Sequence, residues 1–519
     1  MPTLSRRALL WQMAALGLAP HASPLRAAKP KTPSDPFTLG VASGAPSPDG
    51  FVLWTRLAPR PAEPGGGLDP VPLSVRWEVA SDERFTKIEA KGTAFAVPAE
   101  GHSVHVEVDR LASARGYYYR FLHGDAVSPV GRTRTSPAAN EKAARLRFGV
   151  ASCQHYEQGF FGALRHAAES DLDLFVHLGD YIYESSWGAR RDRRHAAPEP
   201  YTVDDYRIRH ALYKSDAGLR AAHAAMPWLF TWDDHEVDND YAGARSEWKE
   251  PEAWFLERRM NAYRAWWEHL PVRRTSYPLG GHARIFGRHA FGTLATFHVL
   301  DDRQYRDPQP CPRPGRGGSR MIASKDCADL GDASRTLLGE PQESWLFDGL
   351  AQSKASWNLL AQQTLVAQFD RDYRKGNEQI WTDGWDGYPA ARARLLAHLG
   401  TAKPRNPLFL GGDVHSFWAT ELSTNAWDPK APAVATELVA GSVTAESGFP
   451  AGMAASALAS HPHVKLCDGE RNGYLRVDLT PARAEARFLA VVDKFDAATK
   501  VETLGAFAIE DGRAALEKT

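Results

Sequence analysis

Short hydrophobic runs of two kinds divide this 519-residue chain into two regions. Between residues 36 and 140 the runs alternate apolar and polar positions: SVRWEVAS (74–81), TAFAVPA (93–99), SVHVEVDRL (103–111) and YYYRFLHG (117–124). Strands with this alternation have one buried and one solvated face, and Pro, Gly and Asp clusters separate them. The pattern predicts a small all-β sandwich domain over 36–140.

Beyond residue 145 the hydrophobic runs become continuous and alternate with helical patterns, which predicts an α/β domain over 145–519. Helices are predicted at 206–225, 251–270 and 343–357, and a strand at 358–369. Five further runs have the length of buried parallel strands and lead into polar residues. They are LRFGVASCQH (146–155), LFVHLGDYIY (174–183), WLFTWDDHEVDND (228–240), ATFHVLDDRQYR (295–306) and PLFLGGDVHS (407–416).

The first 28 residues belong to neither region. SRRALL (5–10) precedes a modest apolar run, which resembles a Tat export signal; a basic helix is the alternative. We therefore expect transport by the Tat translocase and a periplasmic or secreted location. No later stretch approaches the roughly 20 apolar residues of a membrane span, so no membrane anchor is expected. The net charge of -1 gives no reason to expect nucleic-acid binding.

Two of the four cysteines flank a loop rich in Pro and Gly, CPRPGRGGSRMIASKDC (311–327). An exported protein can keep disulfides. We therefore predict a bond between Cys311 and Cys327, with two separate surface thiols as the alternative.

The polar residues that follow the predicted strands carry the candidate chemistry. Ligands of open α/β sheets bind beyond the carboxyl ends of the strands, so these residues are expected to meet. Mutual repulsion and desolvation would oppose such a cluster unless positive charge neutralised it. Two metal ions are the expected source of that charge. The residues are Cys153, Asp180, Tyr183, Asp234, His235, Asn239, Asp413 and His415.

Different donor atoms indicate different ions. A carboxylate can bridge two cations, and Asp180 is predicted to do so. The thiolate of Cys153, the phenolate of Tyr183 and the imidazole of His415 favour ferric iron. Asp413 lies two residues before His415, so an extended segment would present both on one face, with Asp413 at the second ion. Plain turn or packing roles are the alternative for each residue.

The remaining candidates complete a hydrolytic site. Asp234 or Asn239 would supply oxygen to a harder second ion such as calcium, although a helix N-terminus would also explain the acidic segment. His235 could protonate a leaving oxygen. Arg303 could bind a phosphate oxygen, or it could pair with a neighbouring aspartate.

Together these residues predict a phosphoester hydrolase, in which two cations share the charge of the phosphate and activate water. Two alternatives remain open. One is a phosphodiesterase or phospholipase-type hydrolase that uses the same site. The other is a metal-stabilised binding protein without catalysis, whose ligand sphere would be closed.

Several blocks resemble the PhoD-type alkaline phosphatases, which are exported calcineurin-like metallophosphoesterases. The blocks are FTLGVASGAPSPDGFVLWTRLAP (37–59), FGVASCQ, HLGDYIYE, TWDDHEVDNDYAG, LDDRQYR and GGDVHS. The resemblance implies a two-sheet sandwich flanked by helices, preceded by a small β domain. The loop between Cys311 and Cys327 does not match the family's pattern, so the resemblance does not extend to substrate access.

The resemblance also implies ligands for each ion. It implies Fe(3+) at Cys153, Asp180, Tyr183 and His415. It implies Ca(2+) near Asp180, Asn239 and Asp413, with Asp234 as a further ligand, and a phosphate contact from Arg303. The implied substrates are small phosphoesters.

Overall fold

The computed structural model describes residues 34–372, 378–428, 430–449 and 451–519. The predicted signal segment, residues 1–28, lies outside these described residues. Within them, no helix combines the length and the apolar character that crossing a membrane requires.

Eight strands come from the N-terminal region. They are β1 (Val41–Ser47), β2 (Gly50–Arg56), β3 (Leu73–Ala80), β4 (Ile88–Ala96), β5 (Ser103–Val108), β6 (Gly116–His123), β7 (Ala126–Val127) and β8 (Gly131–Arg134). All four strands predicted in this region are present. The hairpin of β1 and β2, which was not predicted, precedes them.

The remaining chain alternates strands and helices. Its strands are β9 (Leu146–Ala151), β10 (Leu174–His177), β11 (Pro227–Phe230), β12 (Gly287–Phe291), β13 (Ala295–Val299), β14 (Met321–Ala323), β15 (Trp357–Ala361), β16 (Gln379–Trp381), β17 (Pro407–Gly411), β18 (Phe417–Ser423), β19 (Ala433–Ala440), β20 (Val464–Asp468), β21 (Gly473–Leu479), β22 (Arg483–Val491), β23 (Val501–Glu510) and β24 (Glu517–Lys518). Its helices are α1 (Gly162–Glu169), α2 (Val203–Lys214), α3 (Ala217–Ala225), α4 (Glu252–His269), α5 (Glu340–Gln352), α6 (Pro389–Ala402) and α7 (Ala451–Ser460).

Two large sheets form the centre of the molecule. One has ten strands in the order β24-β23-β22-β21-β9-β10-β11-β1-β2-β5, and the other has seven in the order β12-β13-β15-β17-β19-β18-β20. Phe148 of β9 meets Phe297 of β13 edge-on, with ring centroids 5.2 Å apart. The two inner faces share one apolar core, which includes Leu408, Leu475 and Phe488. This is the two-sheet sandwich that the resemblance implied.

The N-terminal region contributes to both a sheet of its own and the ten-stranded sheet. Strands β3, β4, β6 and β7 form a separate antiparallel sheet, with β8 paired to β6. In contrast, β1 pairs in parallel with β11, with Ser43 opposite Pro227. Phe51 of β2 and Tyr119 of β6 share one core between the two layers. The region is therefore a two-layered β structure, and one of its layers continues the central sheet.

Three boundary predictions were wrong in detail. The helix predicted at 343–357 is α5, which ends at Gln352, and Trp357 already belongs to β15. The helix predicted at 206–225 is broken into α2 and α3, because Asp216 accepts the amides of Gly218 and Leu219 and so caps α3. The strand predicted at 358–369 ends at Ala361. Beyond it, the amides of Val366 and Ala367 donate to the buried carboxylate of Glu437, at 2.6 and 3.0 Å, instead of to a neighbouring strand.

A disulfide joins Cys311 and Cys327, whose Cα atoms are 5.9 Å apart. The loop that it closes contains β14, which pairs with β16 and places Met321 opposite Trp381. This pairing connects the loop to the aromatic, Gly-rich segment that follows β16. Cys467 is a buried free thiol.

Candidate metal centre

The residues that follow β9, β10, β11 and β17 meet where the two central sheets approach each other. Ligand atoms of Cys153, Asp180 and His415 all lie within 4.8 Å of one another. Those of Asp180, Asp234 and His235 form a second such group. Asp180 belongs to both groups, as a bridging carboxylate must. A third group is formed by Asp233, Asp234 and Asp413.

Glycines allow the strand ends to come this close. A Cβ on Gly412 would lie 2.5 Å from Ser152 Oγ, on the opposite sheet. A Cβ on Gly179 would lie 2.5 Å from the backbone nitrogen of Asp233, and the φ of Gly179 is +108°. Close packing therefore requires the glycine before Asp180 and the glycine before Asp413, and at Gly179 the positive φ is a second requirement.

Four predicted ligands adopt a backbone conformation that non-glycine residues rarely adopt. The φ angles are 59° at Cys153, 54° at Asp180, 62° at Asp413 and 50° at His415. Such strain collects at functional sites, where the surrounding structure supports it. The extended geometry predicted for Asp413 and His415 was therefore wrong. Left-handed turns, and not the two-residue period of a strand, bring both side chains to the site.

Hydrogen bonds orient the first group of ligands. The hydroxyl of Tyr183 donates to Asp180 Oδ2 at 2.8 Å and lies 3.1 Å from His415 Nε2. His415 Nδ1 donates to the carbonyl of Glu446 at 2.8 Å, which leaves the Nε2 lone pair facing the group. The ring of Trp187 stacks on His415, with centroids 5.8 Å apart.

Electrostatics of the apo side chains favour a cation at this position. Burial, followed by the Asp180 carboxylate, raises the pKa of both Cys153 and Tyr183 well above the usual range. Burial alone would raise the pKa of Asp180, but His235, His415 and Tyr183 lower it to about 2. Its Oδ1 atom is buried and has no hydrogen-bond partner among the described residues. An ionised carboxylate with an unused oxygen is a fitting bridge.

Arg303 contacts the carboxylates of the third group. Its side chain is 1% exposed. It donates to Asp233, to Asp383 at 2.7 Å and to Asp413 at 3.3 Å. Arg303 therefore forms ion pairs, as the alternative prediction had it. Its main partners, however, are distant in the sequence and are not its immediate neighbours. A guanidinium shared among carboxylates holds them together, which limits the desolvation cost of the cluster.

The site opens into a cavity of about 450 Å³, which we call the central cavity. Arg371 supplies the guanidinium on its wall, with its central carbon 4.6 Å from the ring centroid of Phe449 and 5.7 Å from that of Trp381. The cavity is lined by Asp180, Ser185, Trp187, Asp234, His235, Asn239, Asp240, Arg371, Trp381, Asp383, Asp413, Val414, His415, Gly448 and Phe449.

His235 lies on this wall beside a carboxylate that the sequence analysis missed. His235 Nδ1 donates to Glu184 Oε2 at 2.7 Å. Burial would lower the pKa of His235, but the carboxylates of Glu184, Asp180 and Asp234 outweigh burial and raise that pKa well above its usual value. Glu184 also accepts the amide of Asn239 at 3.2 Å. It follows directly after GDYIY, which is the signal that could have identified it.

Glu236 is a second missed residue. Its buried carboxylate accepts three amides: Asp233 at 2.8 Å, Asp180 at 3.0 Å and Tyr181 at 2.5 Å. It thereby joins the two ligand-bearing turns that follow β10 and β11. Asn239 lies at the cavity, where its side-chain amide donates to Glu247 Oε2 at 3.0 Å.

Comparison with known proteins agrees with this geometry. Residues 148–488 match the family model of the PhoD-like phosphatases, and residues 22–137 match the model of their N-terminal domain. The chain belongs to the PhoD-like phosphatase family. It is 41% identical over 500 residues to alkaline phosphatase D of Bacillus subtilis (strain 168), covering 95% of this chain and 84% of that protein.

A solved structure of PhoD superposes with a TM-score of 0.89 at 40% identity, covering 94% of this chain and 93% of the other. The family and the fold that the resemblance suggested are thus confirmed. The protein is a phosphoric ester hydrolase of the PhoD-like family, and the side chains of its central cavity include groups able to hold metal ions.

Proposed function

We propose that this hydrolase uses ferric iron and calcium together, with Asp180 shared between them. The supporting observation is that Asp180 lies within 4.8 Å of the thiol and imidazole of Cys153 and His415 and, in a second group, of Asp234 and His235. Cys153, Tyr183 and His415 would hold the iron, because thiolate, phenolate and imidazole suit a Lewis-acidic transition metal.

Oxygen donors would hold the calcium. Asp413 and Asp234 are linked through one carboxylate cluster, and Asn239 lies on the same cavity wall. When bound, the two cations would neutralise the phosphate charge and activate water for in-line attack. The protein holds the metal ligands in place and supplies the proton that the leaving group needs.

His235 would act as the general acid. Its ring faces the central cavity, and Glu184 keeps it oriented and protonated near neutral pH. In this proposal, the proton on His235 Nε2 passes to the oxygen of the departing alcohol. The open cavity beside these groups supports hydrolysis over a purely structural, closed metal site.

The iron proposal is tested by colour and elemental analysis. Purified protein is expected to contain iron and calcium and to absorb visible light, because thiolate or phenolate bound to ferric iron gives charge-transfer bands. Substitution Tyr183→Phe should shift or remove a band while Tyr181→Phe, which alters a neighbouring phenol, should not. A colourless, fully active protein that contains only zinc would contradict the proposal.

Arg371 takes the substrate-binding role that the sequence analysis gave to Arg303. Stacking on Phe449 occupies one face of its guanidinium, and the N–H donors lie in the plane of that group. We expect Arg371→Gln to lower kcat/KM for phosphoesters about 10- to 100-fold, mainly through KM, because an anion contact is lost. Arg320→Gln is a control outside the cavity wall. Equal kcat/KM in the native and Arg371→Gln enzymes would reject this role.

A phosphodiesterase activity on the same site is the second candidate. The central cavity is larger than a phosphate group and has the rings of Trp187, Trp381 and Phe449 on its walls, so it has room for a second ester substituent. Turnover of bis(nitrophenyl) phosphate should be compared with that of nitrophenyl phosphate. Absence of diester turnover would exclude this candidate.

Export through the Tat translocase to the periplasm or beyond is also part of the proposal. It rests on Arg6 and Arg7 before an apolar run. The double substitution Arg6→Lys/Arg7→Lys should leave the folded enzyme in the cytoplasm, while substitution of Lys29 and Lys31 by Arg should not. Unchanged export of the first variant in a fractionation assay would contradict the Tat route.

A further inference from the structure

A second large cavity lies apart from the metal centre. Its volume is about 600 Å³, which is within the usual range for small-molecule sites, and it shares none of its lining residues with the central cavity. Three segments surround it: 45–48 at the β1–β2 turn, 271–276 after α4, and 284–290 leading into β12. We call it the arginine cavity.

The charged lining of the arginine cavity is basic. Its charged or titratable lining residues are Arg273, Arg284, Arg288 and His289, and no aspartate or glutamate is among the residues that line it. Ser47, Thr275 and Ser276 also line the cavity, and the hydroxyls of Ser47 and Ser276 donate to Asp49 Oδ1 and to the carbonyl of Arg284. The apolar walls are Trp228, Phe230, Pro271, Val272, Ile285 and Phe286. The whole therefore combines a positive rim with an apolar interior.

One of these arginines is neutralised within the protein and two are not. Arg273 donates to Glu107 at 3.2 Å and to the carbonyl of Ala45 at 2.9 Å. Arg284 lies over Phe286, 4.7 Å from the ring centroid, and Arg288 lies over Trp345 at 4.2 Å. Across the described parts of the chain, neither Arg284 nor Arg288 lies within 4.0 Å of a carboxylate oxygen.

The two unneutralised guanidinium groups influence each other. The pKa of Arg288 is lowered, mainly by burial and in addition by the charge of Arg284. The carboxylate of Asp348, which is beyond ion-pair distance, acts in the opposite direction. Arg288 also donates to the carbonyl of Trp345, which fixes its position. The aromatic ring covers one face of each guanidinium, and the donors lie in its plane; those that remain on Arg284 and Arg288 suit a phosphate or carboxylate. Bound anion would relieve the repulsion between them.

We propose that the arginine cavity binds a small amphipathic organic anion. A phosphate or carboxylate head would contact Arg284 and Arg288, and an apolar or aromatic body would lie against Trp228, Phe230 and Phe286. The site is separate from hydrolysis, so the proposal does not depend on the metal assignment.

Calorimetric titration of the metal-loaded enzyme with phenylphosphonate tests this proposal. This probe has both an anionic head and an aromatic body. The double variant Arg284→Gln/Arg288→Gln is expected to lose one binding event, or to weaken its Kd at least about tenfold. Its melting temperature and its kcat on nitrophenyl phosphate should remain native. Arg120→Gln, which removes a guanidinium stacked 4.1 Å over Phe85 elsewhere, is the matched control.

Two further probes separate head from body. Inorganic phosphate supplies the head alone, and phenol supplies the body alone; both should bind the arginine cavity more weakly than phenylphosphonate. Superimposable phenylphosphonate isotherms for native enzyme and double variant would overturn the proposal. So would phenol binding as tightly as phenylphosphonate, because the charge would then contribute nothing.

Discussion

Replacement of Asp180 is expected to remove both metals and to reduce turnover to below about one thousandth of the native value. Asp180→Asn keeps the size and shape of the side chain but removes the charge that both ligand groups share. Its carboxylate lies within 4.8 Å of ligand atoms of Cys153 and His415 and, in a second group, of Asp234. Loss of a single bridging group should therefore affect two ions at once, which no ligand of a single ion can do.

Metal content and activity together check this expectation. Iron and calcium are measured per protein chain in Asp180→Asn and in native enzyme prepared in parallel. Asp478→Asn is the matched control, since it makes the same change in a carboxylate of β21 that pairs with Arg147 and Arg476. If Asp180→Asn keeps both metals and its turnover, the bridging role is wrong. If it loses only one metal, Asp180 belongs to one ion alone.

The second large effect is expected at His235. His235→Gln should lower kcat about 10²- to 10⁴-fold for alkyl phosphates, because the leaving alkoxide would lose its proton donor. Nitrophenyl phosphate should lose much less activity, since nitrophenolate leaves without protonation. Metal content should stay native, because the proposal gives His235 no role as an iron or calcium ligand.

The dependence on the leaving group distinguishes general acid catalysis from damage to the site. His166→Gln, in a histidine of α1 that bonds Tyr474 at 3.0 Å, controls for loss of an imidazole elsewhere. Glu184→Gln should reproduce part of the effect, because the carboxylate of Glu184 keeps His235 protonated. An equal loss with both esters, or loss of metal from His235→Gln, would exclude the general-acid role.

Local patterns explain why the strands of the site were predictable. Continuous apolar runs have few options other than buried strands, and β9, β10, β13 and β17 begin within the predicted segments, while β11 begins one residue earlier, at Pro227. The Gly-Asp pairs after β10 and β17 also had a local signal. Where a neighbouring side chain determined the structure, the prediction failed: Asp216 ends one helix and starts another, and Glu437 binds amides that would otherwise extend β15.

The direction in which each side chain points was not predictable in the same way. Arg303 and Arg371 both follow strand-like segments, yet the first is enclosed by Asp233 and Asp383 while the second lines the cavity. Similarly, Asp413 and His415 reach the site through left-handed turns that no two-residue period predicts. Contacts with other strands select these side-chain and backbone conformations. The local sequence pattern does not show which of those contacts will form.

The sequence by itself determined the residue types of the site, the strands that carry them and the family to which the chain is similar. Only the tertiary structure decided which ligands meet, because Cys153, Asp180 and Asp234 follow strands of one sheet while Asp413 and His415 follow a strand of the other. The packing of the two apolar faces brings these distant strand ends together. Local preferences fix each element, but the site exists only after the shared core has formed.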